Sequence, residues 1–558
     1  MMFVMRTSMI GVCGLVAFVS ASGYAASYSF SAGNPDGRMA TASRPSAPGK
    51  IEIESADDFI LTSTTLINQA TVIGLLPSGA QLSSAIEVVA KIYRVFPADS
   101  TNPPSGNVPS RTNSPSDIAF DSRDTMTGNL TFTSTELNAA FTAANSVLNG
   151  INKTPNQTTA GEGAVSGEEV LFTVTFTTPF VLPPGHYFFV PEVLLSSGDF
   201  YWLSTPAPPQ FTGDLQNWIR NETLAPDWLR VGTDIVGGST PPRFNSAFTL
   251  SGLTLPKGDF NRDGMSDVLW RMSTTGDNAM WLMNGASIAS PAALTRVSDL
   301  NWTIAGIGDF NRDGKADVLW RHGVTGEVVI WLMNGTSIIS ASVVGTVADT
   351  NWKIAGVGDF DGDGKSDVVW YDSATGQVVV WLMNGTSISS ATVVTTVADL
   401  NWNIVGVGDL DGDGKADLFW RNAATGENVV WRMNGASIAL ASSTTTVSNL
   451  NYKVVGLGDV NGDSKADVFW WNQSTGDVVV WLMNGVTLTS ATLITTVSDT
   501  NYHVEAVADF DGDGVADLMW RKVTTGETVV WLMNGPAIKQ GAFVTTVNDV
   551  NWQIAGPR

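Results

Sequence analysis

The sequence has little cysteine, little histidine and little charge. Among 558 residues there are one cysteine and three histidines, and charged residues make up 15%. Because the one cysteine, Cys13, lies in a segment predicted below to be removed, the mature chain forms no disulfide and needs another kind of cross-link, for which metal ions are the natural substitute. The histidines, His186, His322 and His503, have no metal-ligand spacing, and the G-x-S-x-G motif of hydrolases does not occur. We therefore do not expect an enzyme.

Basic residues are also scarce. The chain has 30 Lys plus Arg against 53 Asp plus Glu, which gives a formal net charge of −23. Such a field repels nucleic acid and anionic lipid surfaces, so neither is an expected partner. Hydrophobic residues at 43% are enough to form a core, which excludes a disordered chain.

No hydrophobic run is long enough to span a membrane. The longest, Met9–Val19, follows Arg6 and is followed by the small residues of a cleavage site before residue 26. Residues 1–26 are therefore predicted to be a signal peptide, and the protein to be secreted or displayed at the cell surface, with the periplasm as a further destination. The Ser-, Pro- and Gly-rich residues 27–50 predict a flexible leader.

Residues 51–252 show the spacing of an all-β domain. Runs rich in β-branched and aromatic residues, such as Ala85–Phe96, Glu169–Thr177 and His186–Leu195, alternate with turn-rich segments. This pattern predicts a β-sandwich. Only Ser134–Leu148 has the composition of a helix.

Residues 253–558 repeat six times with a period of 50 residues. The third copy predicts four strands, Asn351–Val357, Asp367–Asp372, Val378–Met383 and about Thr392–Val397, with tight turns at Thr375-Gly376 and Asn384-Gly385. Four short strands per repeat without a helix indicate the blades of a β-propeller. The expected fold class is all-β, a sandwich followed by a propeller.

The ends of the repeat array predict how the ring closes. The first copy lacks the Asn-Trp strand of the other copies, whereas Asn551–Gly556 is that strand without a blade. The last strand can therefore complete the first blade and leave no open edge. A seven-bladed ring is the alternative, with Phe244–Lys257 supplying a degenerate blade.

Each repeat carries an acidic loop between its first two strands. Oxygen-bearing side chains occupy loop positions 1, 3, 5 and 9, and glycine usually occupies position 6, as in Asp359–Asp367. Calcium prefers six to eight oxygen ligands, and a backbone carbonyl at position 7 can add another. The other interpretation is a solvated acidic turn, but several uncompensated carboxylates in one loop would repel each other.

These loops resemble those of FG-GAP and VCBS-type repeats, which form integrin-like calcium-binding β-propellers. The resemblance covers about residues 253–558 and implies up to six Ca²⁺ ions. The implied ligands are Asp259, Asn261, Asp263, Met265 and Asp267; Asp309, Asn311, Asp313, Lys315 and Asp317; Asp359, Asp361, Asp363, Lys365 and Asp367; Asp409, Asp411, Asp413, Lys415 and Asp417; Asp459, Asn461, Asp463, Lys465 and Asp467; and Asp509, Asp511, Asp513, Val515 and Asp517. In the fifth loop Ser464 replaces glycine, which predicts a more costly bend.

Tryptophan recurs at two positions of every repeat, represented by Trp270 and Trp281 in the first. These indoles are expected to fill the core between blades. The alternative is stacking of sugars between blades, since Arg271, Arg321, Arg421 and Arg521 follow the first tryptophan and could orient hydroxyl groups.

The sequence therefore predicts an exported calcium-binding propeller that acts in adhesion or ligand recognition. Its expected partner is a glycan or a cell-surface protein. Two alternatives are an exported polysaccharide-active enzyme that uses the propeller as a scaffold and a structural matrix component without a discrete ligand.

Overall fold

The computed structural model describes residues 27–100, 106, 108–151, 158–206 and 216–557. The predicted signal peptide, residues 1–26, lies outside the described residues. The described residues form two compact units that meet in sequence at Leu253 and Thr254. Both consist of strands, with short helical turns at Leu82–Ser84, Thr125–Thr127 and Val231–Val236, so the predicted all-β class is confirmed. No helix among these residues is long and apolar enough to cross a membrane.

The N-terminal unit contains a nine-stranded and a six-stranded sheet. Its strands, in chain order, are β1 (Ser27–Ser31), β2 (Ala40–Ala42), β3 (Ile53–Leu61), β4 (Thr65–Pro77), β5 (Ala85–Arg94), β6 (Asp121–Asp124), β7 (Thr131–Ala143), β8 (Ser146–Val147), β9 (Val165–Leu182), β10 (Gly185–Leu195), β11 (Tyr201–Thr205), β12 (Trp218–Asn221), β13 (Leu229–Arg230), β14 (Asn245–Ser246) and β15 (Phe248–Thr254). The six-stranded sheet has the order β13-β12-β3-β10-β5-β6, and the other sheet follows the path β1-β15-β4-β11-β2-β8.

The two sheets pack face to face on one hydrophobic core. Phe59 and Phe189 come from the six-stranded sheet, Trp202 and Phe248 come from the nine-stranded sheet, and all four are at most 1% exposed. The ring of Phe189 lies 5.4 Å from that of Phe248 across the interface. The predicted β-sandwich is therefore confirmed.

The prediction of a flexible leader at residues 27–50 is wrong. Strand β1 pairs antiparallel with β15, and its Tyr28 and Phe30 pack against the sandwich core. Strand β2 is buried and pairs with β11 and β8. Its Ala40 and Ala42 are fully buried, because small side chains fit where backbones pack closely. A composition rich in small residues thus marks tight packing here.

The helix expected at Ser134–Leu148 is also wrong. Most of this segment belongs to β7, which pairs with β9 from Thr131↔Thr175 to Ala143↔Val165. Strand pairing in the folded chain overrides the modest helix propensity of its alanines and leucine.

The C-terminal unit is made of six four-stranded antiparallel sheets. Blade 1 is formed by β16 (Val268–Met272), β17 (Asn278–Asn284), β18 (Ser287–Leu294) and the last strand, β39 (Trp552–Gly556); blade 2 by β19 (Trp302–Gly308), β20 (Asp317–His322), β21 (Glu327–Asn334) and β22 (Ser337–Thr346); and blade 3 by β23 (Trp352–Gly358), β24 (Asp367–Asp372), β25 (Gln377–Asn384) and β26 (Ser387–Thr396). Blade 4 is formed by β27 (Trp402–Gly408), β28 (Asp417–Asn422), β29 (Asn428–Asn434) and β30 (Ser437–Ser443); blade 5 by β31 (Tyr452–Gly458), β32 (Asp467–Asn472), β33 (Asp477–Asn484) and β34 (Thr487–Thr496); and blade 6 by β35 (Tyr502–Ala508), β36 (Asp517–Lys522), β37 (Glu527–Asn534) and β38 (Ala537–Thr546).

The ring closes through β39, as the sequence predicts. This strand pairs antiparallel with β16, with Trp270 opposite Ile554 and Met272 opposite Trp552. The innermost strands β39, β19, β23, β27, β31 and β35 contact one another in that cyclic order. The segment proposed for a seventh blade instead contributes β14 and β15 to the nine-stranded sheet of the sandwich, so the seven-bladed alternative is wrong.

Each hydrophobic core of the propeller is shared by two adjacent blades. Val268 and Trp270 of blade 1, for example, pack with Phe510 and Met519 of blade 6, and this core seals the ring. Because each core needs both of its blades, loss of one strand exposes a neighbour as well.

We expect closure of the ring to depend on Ile554, which is 2% exposed, more than on Trp552, which is half-buried. In the full chain, Ile554→Ala should cost about 2–5 kcal/mol of unfolding free energy, because the cavity faces the core of blades 6 and 1. Deletion of residues 550–558 should cost more and produce aggregates. Val550→Ala is the matched control, because Val550 is 44% exposed. Calorimetry that gives equal melting temperatures for Ile554→Ala and Val550→Ala would contradict closure by β39.

Candidate metal-binding loops of the propeller

The loop of each blade folds around the carboxylate at position 1. In blade 2, Asp309 Oδ1 accepts hydrogen bonds from the N–H groups of Asn311 and Asp313, both at 3.2 Å. Its Oδ2 accepts from the N–H of Gly314 at 2.7 Å. The first aspartate thus folds the backbone of its own loop into a tight turn.

The bend needs left-handed backbone at two positions. Position 6 has positive φ throughout, and Ser464 takes φ +66° there, so the predicted cost of the fifth loop has a structural basis. Position 4 also has positive φ, with Arg262 at +64° and Arg312 at +58°, and glycine occupies it in the other loops. The sequence analysis missed position 4, although four of its six residues are glycine.

The carboxylate at position 9 fixes the loop to the blade. Asp317 is fully buried, and its Oδ2 accepts from the N–H of Phe310 at 3.0 Å while its Oδ1 accepts from Met333 at 2.8 Å. The corresponding aspartates of the other blades make the same pair of bonds, namely Asp267, Asp367, Asp417, Asp467 and Asp517. Position 9 therefore holds the loop start against the third strand.

The six loops are joined to one another by backbone hydrogen bonds. The N–H at position 8 of each loop donates to the carbonyl at position 1 of the preceding loop, with donor–acceptor distances of 2.6–2.7 Å. These pairs are Ala316 to Asp259, Ser366 to Asp309, Ala416 to Asp359, Ala466 to Asp409, Ala516 to Asp459 and Ser266 to Asp509. The last pair closes the series, so the loops form a continuous ring.

The Asn-Gly turns tie the same loops to the outer strands. Gly335 of blade 2 donates its N–H to the carbonyl of Phe260 in loop 1 at 2.7 Å, and Gly385 donates to Phe310 in loop 2 at 2.9 Å. Gly285, Gly435 and Gly485 make the same bond, so loops 1, 2, 3, 4 and 6 are each anchored in their own blade and in the next. A change in loop conformation would reach the contact between blades.

Three of the four predicted ligand positions come together. In the loops with aspartate throughout, carboxylate oxygens of positions 1, 3 and 9 lie within 4.8 Å of one another, in the groups Asp359, Asp361 and Asp367; Asp409, Asp411 and Asp417; and Asp509, Asp511 and Asp517. Two oxygens that bind the same calcium ion lie at most about 5 Å apart, twice the Ca–O distance. The observed spread fits one ion per loop.

Position 5 lies outside these groups of three. Asp363 Oδ1 accepts from the N–H of Lys365 at 2.8 Å, and its Oδ2 pairs with the Lys365 ammonium at 2.7 Å. In loops 1, 2 and 5 position 3 is asparagine, and its amide donates to the position 5 carboxylate, as Asn261 does to Asp263 at 2.9 Å.

The converging carboxylates are half-buried or buried. Burial, together with neighbouring aspartates, raises the pKa of Asp309 to about 7, of Asp317 to about 8 and of Asp517 to about 9. In loop 6, Asp511 is 8% exposed, and its Oδ1 is buried with no hydrogen-bond partner among the described residues. These oxygens are suited to a hard cation.

Two loops contain a basic side chain that the sequence analysis missed. The Arg432 guanidinium pairs with Asp411 in loop 4. In loop 6, Lys539 Nζ lies 2.9 Å from Asp511 Oδ2 and 2.8 Å from Asp513 Oδ2. Both basic residues break the repeat, since the other copies have leucine at the position of Arg432 and an uncharged residue at that of Lys539. The six loops are therefore chemically unequal.

The tryptophans belong to the core. Trp270 is 2% and Trp281 8% exposed, and their rings lie 4.5 Å apart, as do the equivalent pairs at 4.6–4.8 Å. The arginines predicted to orient sugars instead lie over the tryptophan of the next blade, in the pairs Arg271 with Trp320, Arg321 with Trp370, Arg421 with Trp470 and Arg521 with Trp270. The packing interpretation is thus confirmed, and these cation–π pairs join blade to blade.

The sandwich has an acidic cluster of a different kind. Carboxylates of Glu52, Glu54 and Glu192 converge, but Lys91 Nζ lies within 2.6–2.9 Å of all three. Arg220 also pairs with Glu54. Internal cations therefore compensate this cluster in part, which makes it an ion-pair network of the sandwich, while burial raises the pKa of Glu192 to about 8.

We expect the position 9 aspartate to stabilise the propeller even without metal. With a chelator present, Asp317→Asn should lower the unfolding free energy by about 1–3 kcal/mol. The amide has a single acceptor oxygen, so it can accept from only one of the two backbone N–H groups. Asp413→Asn in loop 4 is the control, since Asp413 Oδ1 accepts from the N–H of Lys415 and the amide oxygen can replace it. If Asp317→Asn melts like the parent in chelator, position 9 has no structural role of its own.

Comparisons of sequence and of structure show which known proteins the repeats are similar to. The family described as FG-GAP-like repeat matches residues 259–320, 309–370, 359–420 and 459–520. A comparison with curated protein sequences finds no match. A chain of a nidogen/laminin complex is similar at 13% identity and a TM-score of 0.35, over 49% of this chain and 92% of that one. A putative 6-phosphogluconolactonase from Bacteroides uniformis is similar at 12% identity and a TM-score of 0.32, over 52% and 83%. The predicted resemblance to FG-GAP repeats is thus confirmed over these residues.

Proposed function

We propose that the propeller is a calcium-stabilised recognition module of an exported protein. The observation that carries the calcium part is the convergence of the buried carboxylates at positions 1, 3 and 9 in loops that are joined into one ring. Oxygen donors with this spread favour calcium over softer metals, which prefer sulfur or imidazole ligands. When bound, the ion would supply the positive charge that these carboxylates lack.

The role of the ion in this proposal is structural. The position 1 aspartate offers its carboxylate to the ion while its backbone carbonyl accepts from the next loop, as Asp459 does from Ala516 at 2.6 Å. An ion that fixes this residue would therefore stabilise the contact between blades. Export supports the same role, because extracellular calcium is abundant enough to fill sites of modest affinity.

Calcium should raise the melting temperature of the full chain. A site filled at 100 times its dissociation constant adds about 2.7 kcal/mol, so several filled loops should shift the propeller transition by about 10 °C or more. Calorimetry in calcium and in excess chelator measures this shift. Magnesium at the same concentration should give a smaller one, because it demands octahedral geometry and keeps its waters.

Lys539→Ser provides a matched variant for this measurement, because loop 3, also aspartate throughout, has Ser389 at the equivalent position. Removal of the lysine leaves Asp511 and Asp513 free of a competing cation, so the calcium-dependent shift should increase. An equal melting temperature in calcium and in chelator would contradict the calcium proposal.

The recognition part of the proposal concerns adhesion or ligand binding, with a glycan or a cell-surface protein as partner. It is supported by the closed ring, which holds the loops of six blades in fixed positions, as a binding surface requires. Arrays of glycans and of extracellular matrix proteins, probed with calcium-loaded protein, test this role. We expect saturable binding to at least one of them, which chelation abolishes. Silence on both arrays would contradict a recognition role.

A further inference from the structure

The centre of the propeller contains a cavity of about 550 Å³ lined by the innermost strands of the blades. Most of its wall repeats from blade to blade, as with Ile307, Val357 and Val407. A cavity of this volume is within the range that holds small organic ligands.

The cavity extends outward at one place, between blades 5 and 6. Trp471 and Gln473 of blade 5 line it, and they lie at the end of β32 and just beyond it. In four other blades the residue equivalent to Trp471 is an arginine that covers the next blade's tryptophan, at 4.6–5.0 Å from the ring centroid. In blade 3 the equivalent Tyr371 contacts Trp420 edge-on at 5.7 Å. Trp471 instead lies 4.9 Å from the ring of His503, which also lines the cavity.

The indole N–H of Trp471 has no hydrogen-bond partner among the described residues, as is also true of Trp270, Trp320, Trp370, Trp420, Trp470 and Trp520. Trp471 is 4% exposed and differs from those six in lining the cavity. A buried N–H without a partner costs free energy unless a ligand or water accepts from it. An acceptor atom in the extension of the cavity would satisfy it.

The charged residues around the cavity also break the repeat. Glu505 replaces the alanine or valine of every other blade at its position, and Lys257 replaces an aliphatic residue. With Lys453, the charged lining is two lysines and one glutamate, a local excess of positive charge in a chain of net charge −23. Residues that the repeat does not require are gathered at one cavity.

We propose that this cavity binds a saccharide that carries a carboxylate, of about one or two sugar rings, between blades 5 and 6. The inference rests on the proposed recognition role and names its site. The half-buried imidazole of His503, packed on the Trp471 ring, offers an aromatic surface to the apolar face of a sugar. Glu505 and Gln473 bond hydroxyl groups, and the lysines attract the carboxylate.

Isothermal titration calorimetry of the calcium-loaded full chain tests the proposal. Digalacturonate is the probe, and galactobiose is its matched neutral counterpart, with hydroxymethyl groups in place of the carboxylates. We expect one digalacturonate per chain and at least tenfold weaker binding of galactobiose. Trp471→Arg gives blade 5 the arginine of four other blades and should abolish binding. Tyr371→Arg makes the same kind of change in blade 3 and should leave the affinity unchanged.

The outcomes separate this site from the wider recognition role. Equal affinity for the two disaccharides, undetectable binding of digalacturonate, or binding that survives Trp471→Arg would each overturn the proposal, even where the arrays show a ligand. If Trp471→Arg does not fold, Glu505→Ala takes its place, because alanine is the residue of blades 1, 2 and 3. A loss of affinity of at least tenfold in Glu505→Ala supports the site, and an unchanged affinity overturns it.

Discussion

The propeller depends on one backbone hydrogen bond repeated six times, from the N–H of loop position 8 to the carbonyl of position 1 in the preceding loop. Each bond requires both loops to have the same shape, and the side chains at positions 1 and 9 set that shape by accepting from backbone N–H groups. Ring closure follows from the same rule, because Ser266 and Asp509 make the sixth bond between the first and last loops. The hydrophobic cores and the cation–π pairs then stabilise the contact between blades that these hydrogen bonds already align.

This arrangement places negative charge in a buried position, and the two units treat buried charge differently. In the sandwich, Lys91 and Arg220 lie among the glutamates, so the cluster contains its own cations. Burial raises the pKa of Glu192 in that cluster, and it likewise raises the pKa of propeller aspartates such as Asp317 and Asp517. Loops 4 and 6 are intermediate, since Arg432 and Lys539 reach their position 3 carboxylates. A bound cation would supply to the propeller loops the kind of positive charge that Lys91 and Arg220 supply to the glutamates of the sandwich.

Structural features that recur in every repeat can be predicted from the sequence, whereas features that occur in one copy only cannot. Constant spacing predicts the blades, the loops and the closing strand, because the residues that form them recur in all six copies. The left-handed backbone at position 4 is an exception, because it occurs in all six loops but Arg262 and Arg312 interrupt its run of glycines. Strands β1 and β2 and most of the segment expected to be helical are held by partners distant in sequence, which local composition does not report. Arg432 and Lys539 stand out only after the structure shows which side chains they contact.

The central claim is that cation binding in the loops stabilises the contacts between blades. Amide hydrogen exchange at the six position 8 N–H groups, Ser266, Ser366, Ala316, Ala416, Ala466 and Ala516, measures those contacts directly. Each opens only when a loop separates from its neighbour, so its exchange rate reports the free energy of that separation. The account predicts slow exchange in calcium and a large acceleration at these amides in chelator, while the sandwich strands keep their protection. Unchanged exchange at all six amides after calcium removal would contradict it.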